Sequence, residues 1–234
     1  MQLVSAIPAI VPVRTQASEA AEQSTQLLKG EVCELLEQTD RWMHIKSLND
    51  GQSGWVDSKM MGTAMSTRPP HMEKNKKYTL GTPLAEGIYI DANTLLKTPL
   101  KLNKENIEFI VKKMLYTPYL WGGKSEMGID CSGLSQIVMS CFGIRLARNA
   151  SEQVREGMEI RSLREAKAGD LAFFDHADWT PARTNISHVG IILSPSQIAH
   201  ASGWVRIDRI DDKGIVRTED GERTHHLAAI RRYN

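Results

Sequence analysis

Apolar and polar positions alternate in short runs over the first sixty residues, and the spacing changes beyond Asn103. "VPVR", "EVCELLE", "WMHIKS" and "GWVD" carry β-branched and aromatic residues, with turn signals such as "NDGQSG" between them. Such runs predict the strands of a small β-barrel or sandwich. Residues 64–100 are patterned less clearly. "STRPPH" and "NKK" read as connector, and "YTLGTPLAEGIYID" has room for one or two strands. From Asn103, a suitable N-cap, Ile107, Ile110, Val111 and Met114 recur at helical spacing. Pro118 and two glycines in "TPYLWGG" break that pattern. Leu134, Ile137, Val138 and Cys141 then define the apolar stripe of an amphipathic helix that Gly143 can stop. A short third helix is expected near "NASEQVRE". The remainder reads as strands at 171–175, 188–193, 197–201, 204–208 and 228–233. Helices followed by a run of strands predict the α+β class.

Hydrophobic residues make up 41% of the 234, enough for a real core, so wholesale disorder is excluded and two domains fit the length. The expected division is 1–63, a β module; 64–100, a linker or a degenerate second β module; and 101–234, an α+β domain. Lys+Arg is 29 against 28 Asp+Glu, so no bulk field favours nucleic acid or a membrane surface as partner. No stretch reaches about 18 consecutive apolar residues, so no membrane span is expected. The start, "MQLVSAIPAIVPVRT", has no basic region before its apolar residues and is interrupted by prolines. It does not read as a signal peptide. A cytoplasmic location is expected, or the periplasm or cell envelope if a leader has been removed. The cysteines are Cys33, Cys131 and Cys141, with no CxxC pair. Neither a disulfide framework nor structural zinc is expected, and no cofactor is called for. A monomer is the expected state.

Cys131 falls in the first turn of the helix in "GIDCSGLSQIVMSCFG". Backbone N–H groups and the helix dipole favour negative charge there, and such positions lower a thiol pKa to about 3.5–7.5 from about 8.5. Cys141, on the apolar stripe of the same helix, and Cys33, in a predicted strand, read as inert filler. A thiolate nucleophile needs a base and the base needs an orienter. His188 begins the strand "HVGIIL" and His200 ends the strand "QIAHA"; two antiparallel strands joined by "SPS" bring such imidazoles together. Spacing alone leaves the structural reading of these residues open.

Five pieces in order, "YLWGG", "IDCSGLSQIVM", "AGDLAFFD", "SHVGIIL" and "IAHASG", resemble the NlpC/P60 cysteine peptidases, which have a papain-like α+β fold. "QLLKGE" and "GQSGWVD" resemble parts of the bacterial SH3-like (SH3b) barrel that often accompanies them. The resemblance implies Cys131 as nucleophile, His188 as general base, His200 as its orienter and Tyr119 beside the oxyanion. It is nearest to the γ-D-glutamyl-L-diamino acid endopeptidases, which cut murein peptides after L-Ala-γ-D-Glu and require a free N-terminal L-Ala. The implied partner is a murein peptide. In "RNAS", Asn149 stands where that subgroup has an aspartate for the substrate amine; an amide accepts a hydrogen bond but supplies no charge. Asn149 also suits an N-cap, with Glu152 completing a capping box. Glu22 is the best match for the SH3b glutamate that holds the amine, and Glu19 competes.

Each remaining candidate has a plain structural alternative. Trp121, Gly122 and Gly123 form a turn that also walls the cleft. Asp130 is a helix cap or a substrate contact. Ser132 and Gly133 allow close approach to the thiol or merely pack well. Ser202 and Gly203 line the cleft or make a turn. His176 reads as surface, and His225 and His226 lack the spacing of a metal site. Trp55 is expected in the barrel core. Two functional alternatives stand beside the peptidase: a wall-fragment binder without hydrolysis, and an amidase or acyltransferase of the same superfamily.

Overall fold

The computed structural model describes residues 2–66, 78–84, 87–91, 94–96, 99–175 and 185–234. Seven strands, β1 (Gln2–Ala6), β2 (Ile10–Arg14), β3 (Gln23–Leu28), β4 (Val32–Gln38), β5 (Trp42–Ser47), β6 (Ser53–Asp57) and β7 (Met61–Thr63), form one sheet. Its order is β3-β2-β6-β5-β4-β1-β7. The alternation seen in the sequence sets its faces: Val11, Val13, Leu27, Cys33, Ile45 and Val56 turn inward and exclude water. Trp55 lies outside this cluster and stacks on His44, its register partner, with centroids 4.9 Å apart.

Between 64 and 100, the described residues include strands. β8 (Pro83–Leu84), β9 (Gly87–Asp91) and β10 (Thr94–Leu96) pair into a three-stranded antiparallel sheet of their own. Leu80 and Ile88 enter the main hydrophobic core, and the Leu80 N–H donates to Glu126 Oε2 at 2.8 Å.

The second half opens with α1 (Lys104–Met114), capped by the Asn103 side chain and buried on Ile107, Ile110, Val111 and Met114 as its spacing predicts. β11 (Lys124–Ser125) and β12 (Gly128–Ile129) make a short hairpin that leads into α2 (Cys131–Ser140). α2 is not amphipathic. Every residue from Cys131 to Met139 is buried, because the face that reads as polar meets protein rather than water. Gln136 Nε2 donates to Asp50 Oδ2 of the β module and to the Leu146 carbonyl, both at 3.0 Å, and the Ser135 hydroxyl donates to Gln153 at 2.9 Å. α3 (Ala150–Gln153) follows where "NASEQVRE" places it.

β13 (Met158–Glu159), β14 (Leu171–Asp175), β15 (Ile186–Ser194), β16 (Gln197–Ser202), β17 (Trp204–Asp211), β18 (Gly214–Val216) and β19 (Arg223–Arg232) form the second large sheet. β18 also pairs with β19, so β14 to β19 close on themselves. Ala172, Phe174, Ile192, Ile198, Ile215 and Ile230 fill one side of this sheet. Phe173, Val189, Ile191 and Ala199 face α1 and α2 on the other. β18 was not foreseen: three residues between two turns give little periodicity to read.

Buried polar contacts lock the β module to the second half. Lys124 Nζ lies 2.9 Å from both Glu31 carboxylate oxygens, with neither residue accessible to water. The Lys124 N–H donates to Gln26 Oε1 at 2.9 Å. Gly122 has φ +72°, and a Cβ there would lie 2.4 Å from the Gln23 carbonyl oxygen, so the chain can pass only as glycine. Removing one partner of a buried ion pair strands the other charge. Lys124→Met is therefore expected to lower the unfolding free energy by about 3–5 kcal/mol. Urea unfolding checks this, and a loss below about 1 kcal/mol would mean the pair is hydrated.

Candidate active site

The nucleophile candidate is positioned by its neighbours before α2 begins. Asp130 is the N-cap, and its Oδ1 accepts from the Gly133 N–H at 2.7 Å. Asp130 Oδ2 accepts from the Gly122 N–H at 2.9 Å, which fastens the "WGG" turn to the helix start. Arg148 completes the arrangement. It is 1% exposed and grips Asp130 with two nitrogens at 3.1 and 2.5 Å. It also donates to the Ser132 hydroxyl at 2.8 Å and to Thr25 Oγ1 of β3 at 2.7 Å. A bidentate, charge-assisted contact of this kind fixes orientation as well as energy. Both Asp130 oxygens are thus occupied by protein donors, which favours the capping role over substrate contact. Ser132 serves the same cluster. Gly133 is required sterically, since a Cβ there would lie 2.3 Å from the Gly123 carbonyl oxygen.

A cavity of about 690 Å³ opens over this helix start. Cys131, Tyr119, Trp121, Asp130, Ser132, Asn149, His188, Ser202 and Gly203 line it, together with Ser24 of the β module. Tyr119 is held by its N–H, which donates to the Gly203 carbonyl at 2.8 Å, so the turn at Gly203 anchors a cavity wall. Glu22 is not part of the lining. It is exposed and accepts from Trp121 Nε1 at 2.6 Å, so it meets the cavity wall at Trp121. Glu19 pairs with Arg41 instead. Asn149 is the N-cap of α3, its N–H bonded to Glu152 Oε2 at 3.3 Å, and it also faces the cavity. His176 lies outside the described residues.

The imidazoles form a directed line. His188 Nε2 and His200 Nδ1 are 2.9 Å apart, and His200 Nε2 and Asp208 Oδ2 are 3.0 Å apart. Burial opposes ionisation of Asp208, but hydrogen bonds from His200, Arg206 and Thr218 hold it well below the usual carboxylate range. An ionised carboxylate only accepts, so His200 Nε2 carries the proton. His200 is lowered by burial despite Asp208 and so rests neutral, which leaves its Nδ1 as the acceptor. His188 Nε2 must then donate, and the lone pair of His188 Nδ1 is free. Burial, and next the neighbouring His225 and His200 imidazoles, push the His188 pKa well below its ordinary value.

The thiol departs from the expectation drawn from its helix position. Burial, and then the Asp130 charge, push Cys131 up to about 11, against which hydrogen bonds from the Val189 and Ser132 N–H groups count for less. At 7% exposure desolvation outweighs the helix N-terminus. The free site therefore holds a neutral thiol and a neutral imidazole in one cavity. Burial, followed by Cys131 and Asp130, raises Tyr119 to about 12, so it stays a phenol and can donate.

Asp208, Arg148, Asp175 and His225 were missed as site residues. The Asp175 carboxylate and His225 both line the cavity. His225 stacks on His188 with centroids 4.1 Å apart and planes 24° from parallel. His188, His200 and His225 bring ligand atoms within 4.8 Å of one another. Nearly parallel stacked rings cannot aim in-plane lone pairs at one ion about 2 Å from each, so this is no preformed metal site.

A helix-borne thiol and a sheet-borne imidazole that line one cavity, with a second imidazole bonded to the first, match the papain-like layout of the cysteine hydrolases. Residues 116–221 match the NlpC/P60 family and residues 13–60 the bacterial dipeptidyl-peptidase Sh3 domain, so the chain carries an NlpC/P60 domain of the cell-wall peptidases behind an SH3 domain. Among curated relatives, it is 34% identical over 106 residues to "Gamma-D-glutamyl-L-lysine dipeptidyl-peptidase" of Bacillus subtilis, covering 44% of this chain and 34% of the relative. It is 40% identical over 105 residues to "Probable endopeptidase NlpC homolog" of Haemophilus influenzae, covering 44% and 52%. The matches thus span about half or less of these relatives' lengths. An NlpC/P60 family protein from Bacillus cereus superposes over 99% of both chains with TM-score 0.74 at 17% identity. An NlpC/P60 endopeptidase from Photobacterium damselae gives TM-score 0.65 at 14% identity, over 97% and 70%. At those identities the likeness shows the shared fold.

Burial pushes Cys33 and Cys141 up to about 12, above Cys131, and neither lines the cavity. Iodoacetamide is expected to label Cys131 first, slowly at neutral pH and faster as pH rises toward 11, because only the thiolate reacts. Peptide mass spectrometry reads the order. Equal labelling of all three, or a Cys131 rate flat from pH 6 upward, would contradict the neutral resting thiol.

Proposed function

We propose that the protein is a cysteine peptidase that hydrolyses the γ-D-glutamyl–L-diamino acid bond of murein peptides with a free N-terminal L-Ala, releasing L-Ala-γ-D-Glu in peptidoglycan turnover. The observation that carries this reading is the single cavity lined by Cys131, His188 and Tyr119, with the His200–Asp208 line behind the base. Dipeptidyl-peptidase relatives support the choice of bond.

The chemistry follows from the tautomers. The Cys131 thiol passes its proton to His188 as sulfur attacks the γ-carbonyl carbon, so charge develops only when substrate has displaced water. Asp208, through His200, stabilises the imidazolium that forms. The oxyanion is met by the Tyr119 hydroxyl and the Cys131 N–H. Collapse breaks the C–N bond, and His188 returns the proton to the leaving amine. Water, activated by His188, then hydrolyses the thioester and restores the thiol. At the other end of the substrate, the Glu22 carboxylate at the Trp121 rim supplies the negative charge for the free L-Ala amine, and Asn149 offers a neutral acceptor.

Free L-Ala-γ-D-Glu-diamino acid peptide should be cut at least about tenfold faster than its N-acetyl form, since a charged contact is lost on acylation. Glu22→Gln should raise KM for the free peptide and leave the acetylated one unchanged. Product mass spectrometry and initial rates check both. Equal turnover of the two peptides would reject the amine-gated substrate, and cleavage at another bond would reject the proposed one.

A further inference from the structure

His225 stacks on His188 and takes no part in the steps above. Two irregularities in β19 place it there. Against β18, Ile215 pairs with His225 and Val216 with Arg223, so Thr224 is an extra residue. Against β14, Phe173 pairs with Ala229 and Phe174 with Leu227, so Ala228 is another. Bulges of this kind re-aim side chains beside active sites. Between them the His225 ring turns onto His188, and the Thr224 hydroxyl, 2.9 Å from His225 Nδ1, steadies it. Phe174 contacts both rings, at 5.9 Å from His188 and 6.0 Å from His225.

We propose that His225 is a positioning residue for His188: its ring covers one face of that imidazole and holds it edge-on to His200. The inference rests on the peptidase reading. His188 and His200 meet at 86°, a geometry that one hydrogen bond leaves free to swing, and the stacked ring removes that freedom. Charge also enters. Among the described residues, the charged groups facing His188 are few. β14 brings Asp175 to the same cavity, and α2 brings Cys131. β16 brings His200, backed by Asp208 and Arg206 of β17. α1 presents Ile107, Ile110, Val111 and Met114, and the acid of α3, Glu152, is exposed and bonded to Asn149. After burial, His225 is the largest influence opposing a proton on His188. The ring thus helps keep the base neutral and ready to accept the thiol proton.

The test compares His225→Phe, which keeps a ring in the stack, with His225→Ala, which removes it. kcat and KM are measured against pH on the murein peptide, and His188 is titrated by NMR in histidine-labelled protein without substrate. The Ala variant should lose about tenfold in kcat at unchanged KM, and Phe should recover most of it, since a stacked ring is worth a factor of roughly two to ten. Both variants should move the acid limb of kcat/KM, and the His188 titration itself, to higher pH. An unmoved His188 titration in both variants overturns the proposal. So does a Phe variant as slow as Ala, which would assign the effect to a nitrogen rather than the ring. If the parent leaves the peptide uncut, the peptidase reading fails, while the NMR titration still decides the role of His225.

Discussion

The ionised carboxylate of Asp208 is the constraint from which the site's chemistry follows. It is buried, yet bonds from Arg206, His200 and the Thr218 N–H keep it charged. Its charge dictates where one proton sits on His200, and His200 in turn dictates where one sits on His188. The free lone pair on His188 is the outcome. A different residue at 208 would leave the same two rings with no preferred tautomer, and the thiol with no assured acceptor. In that sense a carboxylate that touches no substrate decides whether the cavity can carry out acyl transfer.

A second buried charge does the corresponding work on the other wall. Arg148 joins the cap of α2, the Ser132 hydroxyl and Thr25 of the β module through one guanidinium. The start of the nucleophile helix is therefore tied to the SH3 domain as well as to its own sheet. Lys124–Glu31 and the glycine contact at Gln23 reinforce the same boundary. Ser24 on the cavity wall and Glu22 bonded to Trp121 show how that contact lends one domain's residues to the other's cleft. This arrangement explains the uniformly buried α2, whose polar face is needed by the neighbouring module.

Much of this was legible in the chain. The stripe Ile107, Ile110, Val111, Met114 marked α1, and strands such as 171–175 came out where alternation and β-branching placed them. Cys131, His188 and His200 were recoverable because a nucleophile, a base and an orienter leave residue types at recognisable places. Other features were not. The thiol's raised pKa depends on how deeply α2 is packed, which a helix-start rule ignores. His225 depends on two bulges, and one extra residue reverses the facing of everything beyond it. Asp208 ends the expected strand 204–208, but only the pairing of His200 with Arg206 reveals that the acid reaches the ring. β8 and β9 fall within "YTLGTPLAEGIYID", which had room for them, while β10 is too short for periodicity to register.

The most direct test of the central claim is to catch the covalent intermediate. Acid quenching during turnover of L-Ala-γ-D-Glu-diamino acid peptide, followed by intact-protein and peptide mass spectrometry, should find an L-Ala-γ-D-glutamyl thioester on the peptide containing Cys131. The adduct should accumulate within the first turnovers and be absent from Cys131→Ala. Cleavage with no acyl group on that cysteine, or an adduct carried by another residue, would contradict the account.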